Sequence, residues 1–403
     1  MRYTIGQLAE IIDGDRGKNY PKQDEFYPQG YCLFLNTGNV TKEGLIFEEN
    51  QFIMKEKDEA LRKGKLKRGD IVYTTRGTVG NAGYYNSSVP YENVRINSGM
   101  VILRSDGEIV DARFLYQILK SEYYRPYFKQ YCTGSAQPQL PIKNFSQIYL
   151  NVPDIKTQHR IADILSVYDD LIENNQKQIK LLEEAARRLY KEWFVDLHFP
   201  GHENTKIVDG VPEGWQWCKV RDVADINSSA LPKNYKEDFI DYVDLGSVRC
   251  GHIETRTRYN LNEAPGRAKR CAKDGDVIWG MVRPNLKAYA LVTNPKETDV
   301  FSTGFAVLSA KKVPYSYLYC AVTQEEFVGY LVNATNGAAY PAVKPVHFEV
   351  ADILKPDDKV LEQFHSVADS IYRKKEALEN QNHNLSEARD LLLPKLMNGE
   401  VEV

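Results

Sequence analysis

The 403 residues carry 52 Lys and Arg against 55 Asp and Glu, a formal charge of −3. Such a length suits two cores with connectors, and the near-balanced charge argues weakly against a free-standing nucleic-acid binder, without excluding one whose basic residues cluster or whose partners bring charge. No uninterrupted apolar run is long enough for a bilayer span, the N-terminus has no hydrophobic export segment, and six scattered cysteines without a C-x-x-C pair speak against structural zinc and for a reducing cytoplasm.

In chain order, residues 1–156 read as a mixed domain. Short β-rich runs such as Ile71–Thr74 and Gly99–Leu103 are punctuated by Gly, Asn and Pro, and one helix is predicted over Ala112 to Tyr127. Residues 157–195 then change character. Thr157 to Phe194 holds neither Gly nor Pro and is rich in Leu, Ile, Ala, Glu, Lys and Arg, a long-helix composition. A linker follows over 196–215, then a second mixed domain over 216–357, and a second long helix with a tail over 358–403. That helix is predicted from about Val360 to Leu393, with Pro394 and Gly399 marking its end.

The first helix carries a seam of Ile161, Leu165, Tyr168, Ile172, Asn175, Ile179, Leu182, Ala186, Leu189 and Trp193, stepping alternately by four and three. The second gives Phe364, Val367, Ile371, Lys374, Leu378, Gln381, Leu385, Ala388, Leu392 and Lys395. This is coiled-coil spacing, and a polar residue in such a seam fixes register at a cost in stability. An antiparallel pair with Asn175 opposite Gln381 would bring Trp193 near Gln363 and Ile161 near Lys395. The competing reading is two ordinary amphipathic helices, each packed on its own domain.

The second half also repeats the first. Lys67-Arg68-Gly69-Asp70-Ile71-Val72-Tyr73 returns as Lys273-Asp274-Gly275-Asp276-Val277-Ile278-Trp279. Asn97–Leu103 returns as Ser302–Leu308, Gly134–Pro138 as Gly337–Pro341, and Ala162-Asp163 as Ala368-Asp369, in the same order at nearly constant offset. Two copies of one unit present two similar surfaces, so the expected ligand has two sites.

Catalytic signatures are missing from the sequence. It holds no G-x-x-x-x-G-K-[ST] loop and no Asn- or Asp-Pro-Pro-aromatic segment, and Gly77–Gly83 lacks G-x-G-x-x-G spacing. His198 and His202 stand four apart around a Phe-Pro-Gly bend, without the Cys or carboxylate set of a metal site.

Leu189–Asp196, Phe199-Pro200-Gly201-His202, Val211–Trp215 and the ending Leu392–Val401 together resemble the specificity (S) subunit of type I restriction–modification enzymes. Val282-Arg283-Pro284-Asn285-Leu286 and Ser302–Phe305 are similar to segments of that family's target recognition domains. Thr157–Ile161 and Glu362–His365 depart from the family's usual helix entries, which leaves the helix starts open. The resemblance implies an α+β fold: two pseudo-repeated target recognition domains separated by two long helices forming an antiparallel coiled coil. It implies that each domain reads half of a bipartite, asymmetric site in double-stranded DNA. It implies that the helices dock two methyltransferase (M) subunits, and that motor-nuclease (R) subunits join. This chain would have no catalysis of its own, with S-adenosylmethionine, ATP and Mg on the partners. Two other readings stay open at this point: the S-like subunit of a type II methylase–nuclease system, and a coiled-coil adaptor that binds no DNA.

Basic runs precede both Gly-Asp turns: Arg62, Lys63, Lys65, Lys67 and Arg68 in the first copy, and Arg249, Arg256, Arg258, Arg267, Lys269, Arg270 and Lys273 in the second. Their related placement suggests phosphate contacts, against the commoner fate of a solvated face. Base edges are read chiefly by Arg, Lys, Asn and Gln. The candidates are Lys18, Tyr20, Arg76, Gln137 and Gln139, with Lys233, Tyr235, Arg283, Asn285, Tyr340 and Lys344 as counterparts, each of which could instead be structural. Ile161 to Trp193 spans ~48 Å as helix, more than one DNA turn of ~34 Å, so the unread spacer is expected to follow helix length.

Overall fold

A computed structural model describes residues 1–134, 137–232, 234–335 and 341–402. The chain forms two compact units, Met1–Asn174 with Gln381–Val403, and Asn175–Asn380. The division falls inside both long helices.

In the first unit a four-stranded antiparallel sheet runs in the order Glu10–Asp13, Met100–Arg104, Ile71–Thr74, Ala82–Tyr84. Beside it Cys32–Leu35 lies parallel to Val94–Ile96 and takes Phe52–Ile53 on its other edge. Arg2–Thr4 pairs with Tyr149–Asn151 and so ties the start of the mixed region to its end. The central strands read IVYT and MVIL because both faces are covered, so their side chains are buried without alternation.

The second unit repeats this topology with one added strand in the sheet of the parallel pair. Its four-stranded sheet runs Ala224–Ile226, Phe305–Ala310, Val277–Gly280, Tyr289–Leu291. Phe239–Val243 lies parallel to Asp299–Ser302, and Gln216–Lys219 pairs with Asp352–Lys355. The parallel pair is wider here, flanked by Thr257–Asn260 on one side and Ala268–Arg270 on the other.

The repeated Gly-Asp motif is one turn built twice. Asp70 Oδ2 accepts from Lys67 N at 2.7 Å, and Asp276 Oδ2 accepts from Lys273 N at 2.9 Å. Gly69 and Gly275 sit at φ 93° and 84°, where a side chain would strain the turn. The copies differ beneath it. Arg104 donates to both oxygens of Asp70, at 2.9 and 2.7 Å, whereas burial pushes the Asp276 carboxyl above the usual range.

The first long helix runs Ile155–Tyr190 and closes in a π turn, Lys191–Val195; the second runs Asp358–Asn398. In the first unit Ile161 and Leu165 share an apolar cluster with Leu393 and Leu396, and Arg389 Nη1 lies 2.8 Å from Asp169. In the second, Lys375 Nζ lies 2.9 Å from Glu183, and Trp193 and Phe194 pack on Phe364 with ring centroids 5.9 and 5.0 Å apart. Within each unit rising numbers on one helix meet falling numbers on the other, so the pair is antiparallel.

Three expectations need correction. The helix expected over Ala112 to Tyr127 is two, Ala112–Lys120 and Arg125–Lys129. Ser121 turns extended, and Pro126, lacking an N–H, starts a new helix instead of continuing the old one. Pro394 does not end the second long helix; it lies inside it, and the chain turns at Gly399, φ 73°. Leu393 and Leu396, 2 % and 3 % exposed, clamp the last turns to the core on either side of the proline. Finally, the seam of the second helix lies one residue past the expected positions at most points after Phe364, though Leu378 stays buried as expected. Val367 is 45 % exposed, while Ala368, Tyr372, Lys375, Arg389, Leu393 and Leu396 are buried.

Candidate nucleic-acid interface

The repeated strand Ile71–Thr74 delivers its chain to a loop at one end of the first sheet. Thr75 N and Arg76 N both donate to Gly99 O, at 2.9 and 3.1 Å. Leu140 N donates to Thr75 O at 2.9 Å, and Arg76 pairs with Gln139 as an isolated antiparallel bridge. Bridge partners point their side chains to the same face, so Arg76 and Gln139, both exposed, emerge together. Gly99 permits this approach: a Cβ there would lie 2.9 Å from Thr37 Cγ2.

Arg76 and Gln139 line a cleft of about 250 Å³ with Asp13, Arg16, Thr75 and Ile142. Arg16 Nη2 lies 3.1 Å from Asp13 Oδ1 and 3.2 Å from Ser98 O, which fixes the guanidinium at the mouth. Sequence reasoning missed Arg16 because it stands outside the basic runs. The available signal was its position just past Glu10–Asp13, the strand that pairs with Met100–Arg104 and so ends beside the same loop.

The other candidates scatter. Lys18 is exposed. Tyr20 is half-buried, edge-on to Phe34 at 5.7 Å, and burial raises its hydroxyl pKa. Gln137 is exposed in the short loop closed by Thr133 and Gln139, which exchange both backbone bonds at 2.7 and 2.9 Å. In the second unit Tyr235 OH donates to Phe239 O at 3.1 Å and packs on a small core with Leu231 and Tyr259. Arg283 and Asn285 are exposed around the turn Pro284–Leu286, Arg283 at φ 51°, and Lys344 is exposed before the helix Pro345–Glu349. Lys233 and Tyr340 lie outside the described residues, as does the returned motif Gly337–Tyr340. Asn175 is buried at 4 %, and Gln381 is exposed.

Much of the basic charge has structural work. Asp15 accepts from the backbones of Arg62 and Gly17, which with the Arg62 guanidinium hold its carboxyl down to about 2. Lys65 meets Asp58, and Arg68 lies over the Tyr85 ring at 4.2 Å while donating to Val89 O and Tyr91 O. Arg258 donates twice to Asp241, at 2.9 and 3.1 Å, and Arg256 reaches Asp299 at 3.2 Å. Lys63, Lys67, Arg267 and Lys269 are exposed.

The aromatic motif around the first helix end is packing. Phe199 and Trp215 lie 4.7 Å apart, Trp215 meets Phe194 at 5.8 Å, and Trp215 Nε1 donates to Asp357 at 3.3 Å. His198 Nδ1 lies 3.1 Å from Glu192, and His202 Nδ1 lies 2.9 Å from Phe199 O. Among the described residues no three His, Cys, Asp or Glu are grouped to hold a metal, and no helix is long and apolar enough to cross a membrane.

The described residues form two units of repeated topology, each holding part of two antiparallel long helices. Residues 1–184 match the family described as type I restriction modification DNA specificity domain. The chain is 26 % identical to the MjaIX type I restriction enzyme specificity subunit of Methanocaldococcus jannaschii, across 86 % of this chain and 81 % of that one. It is 22 % identical to the HindI specificity subunit of Haemophilus influenzae, across 98 % and 100 %. Its fold matches the crystal structure of a type I restriction–modification S subunit from M. genitalium, TM-score 0.54 at 15 % identity, over 98 % of this chain and 95 % of that one. The chain is thus similar over most of its length to type I specificity subunits, and the family match falls on its first 184 residues.

Proposed function

We propose that this chain is the DNA sequence-recognition subunit of a type I restriction–modification system, acting in the cytoplasm. Each unit reads one half of a bipartite, asymmetric duplex site, and the chain performs no chemistry itself. The observation that carries this reading is the cleft of the first unit. There Arg16, Arg76 and Gln139 converge at a loop end, and the second unit rebuilds the same backbone frame. Such groups can pair with phosphates and base edges without any nucleophile, base or metal beside them.

The partners follow from the same reading. Ile164, Val167 and Leu171 are 36 %, 56 % and 42 % exposed at spacings that put them on one face of the first helix. An exposed apolar stripe marks a protein interface, and a methyltransferase subunit is the partner assigned to it, two per complex. S-adenosylmethionine would sit on those subunits, and ATP and Mg on motor-nuclease subunits. The test is duplex binding by the chain assembled with its methyltransferase, followed by fluorescence anisotropy against excess random-sequence DNA. Selective binding that weakens steeply with salt is expected. Equal affinity for all duplexes, or none, would leave the adaptor reading in its place.

A further inference from the structure

The two units rebuild one backbone frame but arm it differently. Thr75 N donates to Gly99 O at 2.9 Å, and Met281 N to Gly304 O at 2.8 Å. Leu140 N donates to Thr75 O, and Val343 N to Met281 O, both at 2.9 Å. The bridge Arg76–Gln139 therefore has Val282–Ala342 as its counterpart. Arg283, which looks like the partner of Arg76 in sequence, comes one residue later. Its φ of 51° and the bond from its N to Pro341 O, 2.8 Å, send it out of the rung. Val282 is half-buried and Ala342 exposed, so the second rung offers only methyl groups where the first offers a guanidinium and an amide.

We propose that this rung is a base-reading position in both units. In the first, Arg76 and Gln139 select a purine by hydrogen bonds, and in the second, Val282 and Ala342 select a thymine by contact with its methyl group. Arg pairs bidentately with guanine and Gln with adenine in the major groove, whereas the thymine C5-methyl is the apolar feature of a base edge. Arg16, fixed on Asp13 and Ser98 O, lies in the same cleft and can hold a phosphate while Arg76 and Gln139 face the base. This rests on the function proposed above and specifies how its two half-sites come to differ.

The experiment maps methylated sites left by the methyltransferase complex carrying R76V/Q139A, V282R/A342Q or the unchanged chain. Both substitutions leave the backbone bonds of the rung in place. With R76V/Q139A, discrimination at one position of one half-site should fall about ten-fold or more while the other half-site stays as it was. With V282R/A342Q, the change should move to the other half-site. An unaltered motif from R76V/Q139A overturns the assignment in the first unit, and one from V282R/A342Q overturns it in the second. Should R76V/Q139A methylate nothing, Gln139→Ala, which removes no charge, decides: a relaxed half-site supports the rung and an unchanged one overturns it. An unchanged chain whose complex methylates without sequence preference removes the proposed function itself, and the rung with it.

Discussion

His252 stands between two carboxylates, Nε2 3.1 Å from Glu183 and Nδ1 2.9 Å from Glu379, with Lys375 reaching both acids at 2.9 and 3.4 Å. Burial opposes the charge on the ring, but the two hydrogen bonds outweigh it and push the imidazole up to about 9. Burial likewise opposes the charge on Glu183, and His252 and Lys375 together hold it down to about 2. A histidine raised in the fold contributes stability that is fully present below its ordinary value of 6.5 and lost as pH rises through about 9. The carboxylate runs the other way, its contribution lost only as pH falls toward about 2. Urea melts of the chain and of His252→Gln should therefore differ most below pH 6.5 and converge above about 9. A difference that stays constant across that window would show that the ring is not held as the cation.

At the scale of elements, Asp169 decides how the helices meet in the first unit. It takes Lys120 and Arg389, each at 2.8 Å, and Gln117 at 2.6 Å, and these cations outweigh its burial and keep it ionised. Removing one partner of a buried set leaves the others charged and unmatched, at a cost of about 3–5 kcal/mol. Asp169→Ala should cost about that much in chemical denaturation, whereas Leu171→Ala, at an exposed position, should cost little; equal costs would contradict the buried network. The same residues explain what the sequence could not show. Apolar spacing found both helices and their antiparallel sense, because Ile161, Leu165, Phe364 and Leu378 lie in the seam as spaced. It slipped by one position on the second helix because Lys375 and Arg389 are seam residues there, and a polarity pattern counts them as surface. The Gly-Asp repeat was legible because the turn needs glycine at positive φ and a carboxylate three residues past its donor. The basic runs did not show that Arg62, Lys65, Arg256 and Arg258 also pair within their own unit, a fact visible only once Asp15, Asp58, Asp241 and Asp299 are placed.

For the whole molecule, internal repetition is the property from which function follows. On the proposed function each unit by itself offers a short reading surface, and a single half-site of a few base pairs discriminates weakly at ~1–3 kcal/mol per pair. Joining two readers in one chain makes the second contact effectively intramolecular and combines their selectivity. The rungs Arg76–Gln139 and Val282–Ala342 differ in chemistry, and under the reading proposed above the two half-sites are expected to differ in sequence. The most direct measurement is a single-base map of methylated adenines in DNA modified by the chain together with its methyltransferase. Two unlike specified blocks separated by a fixed number of unread bases are predicted. One unbroken motif, or two identical blocks in inverted order, would contradict the account.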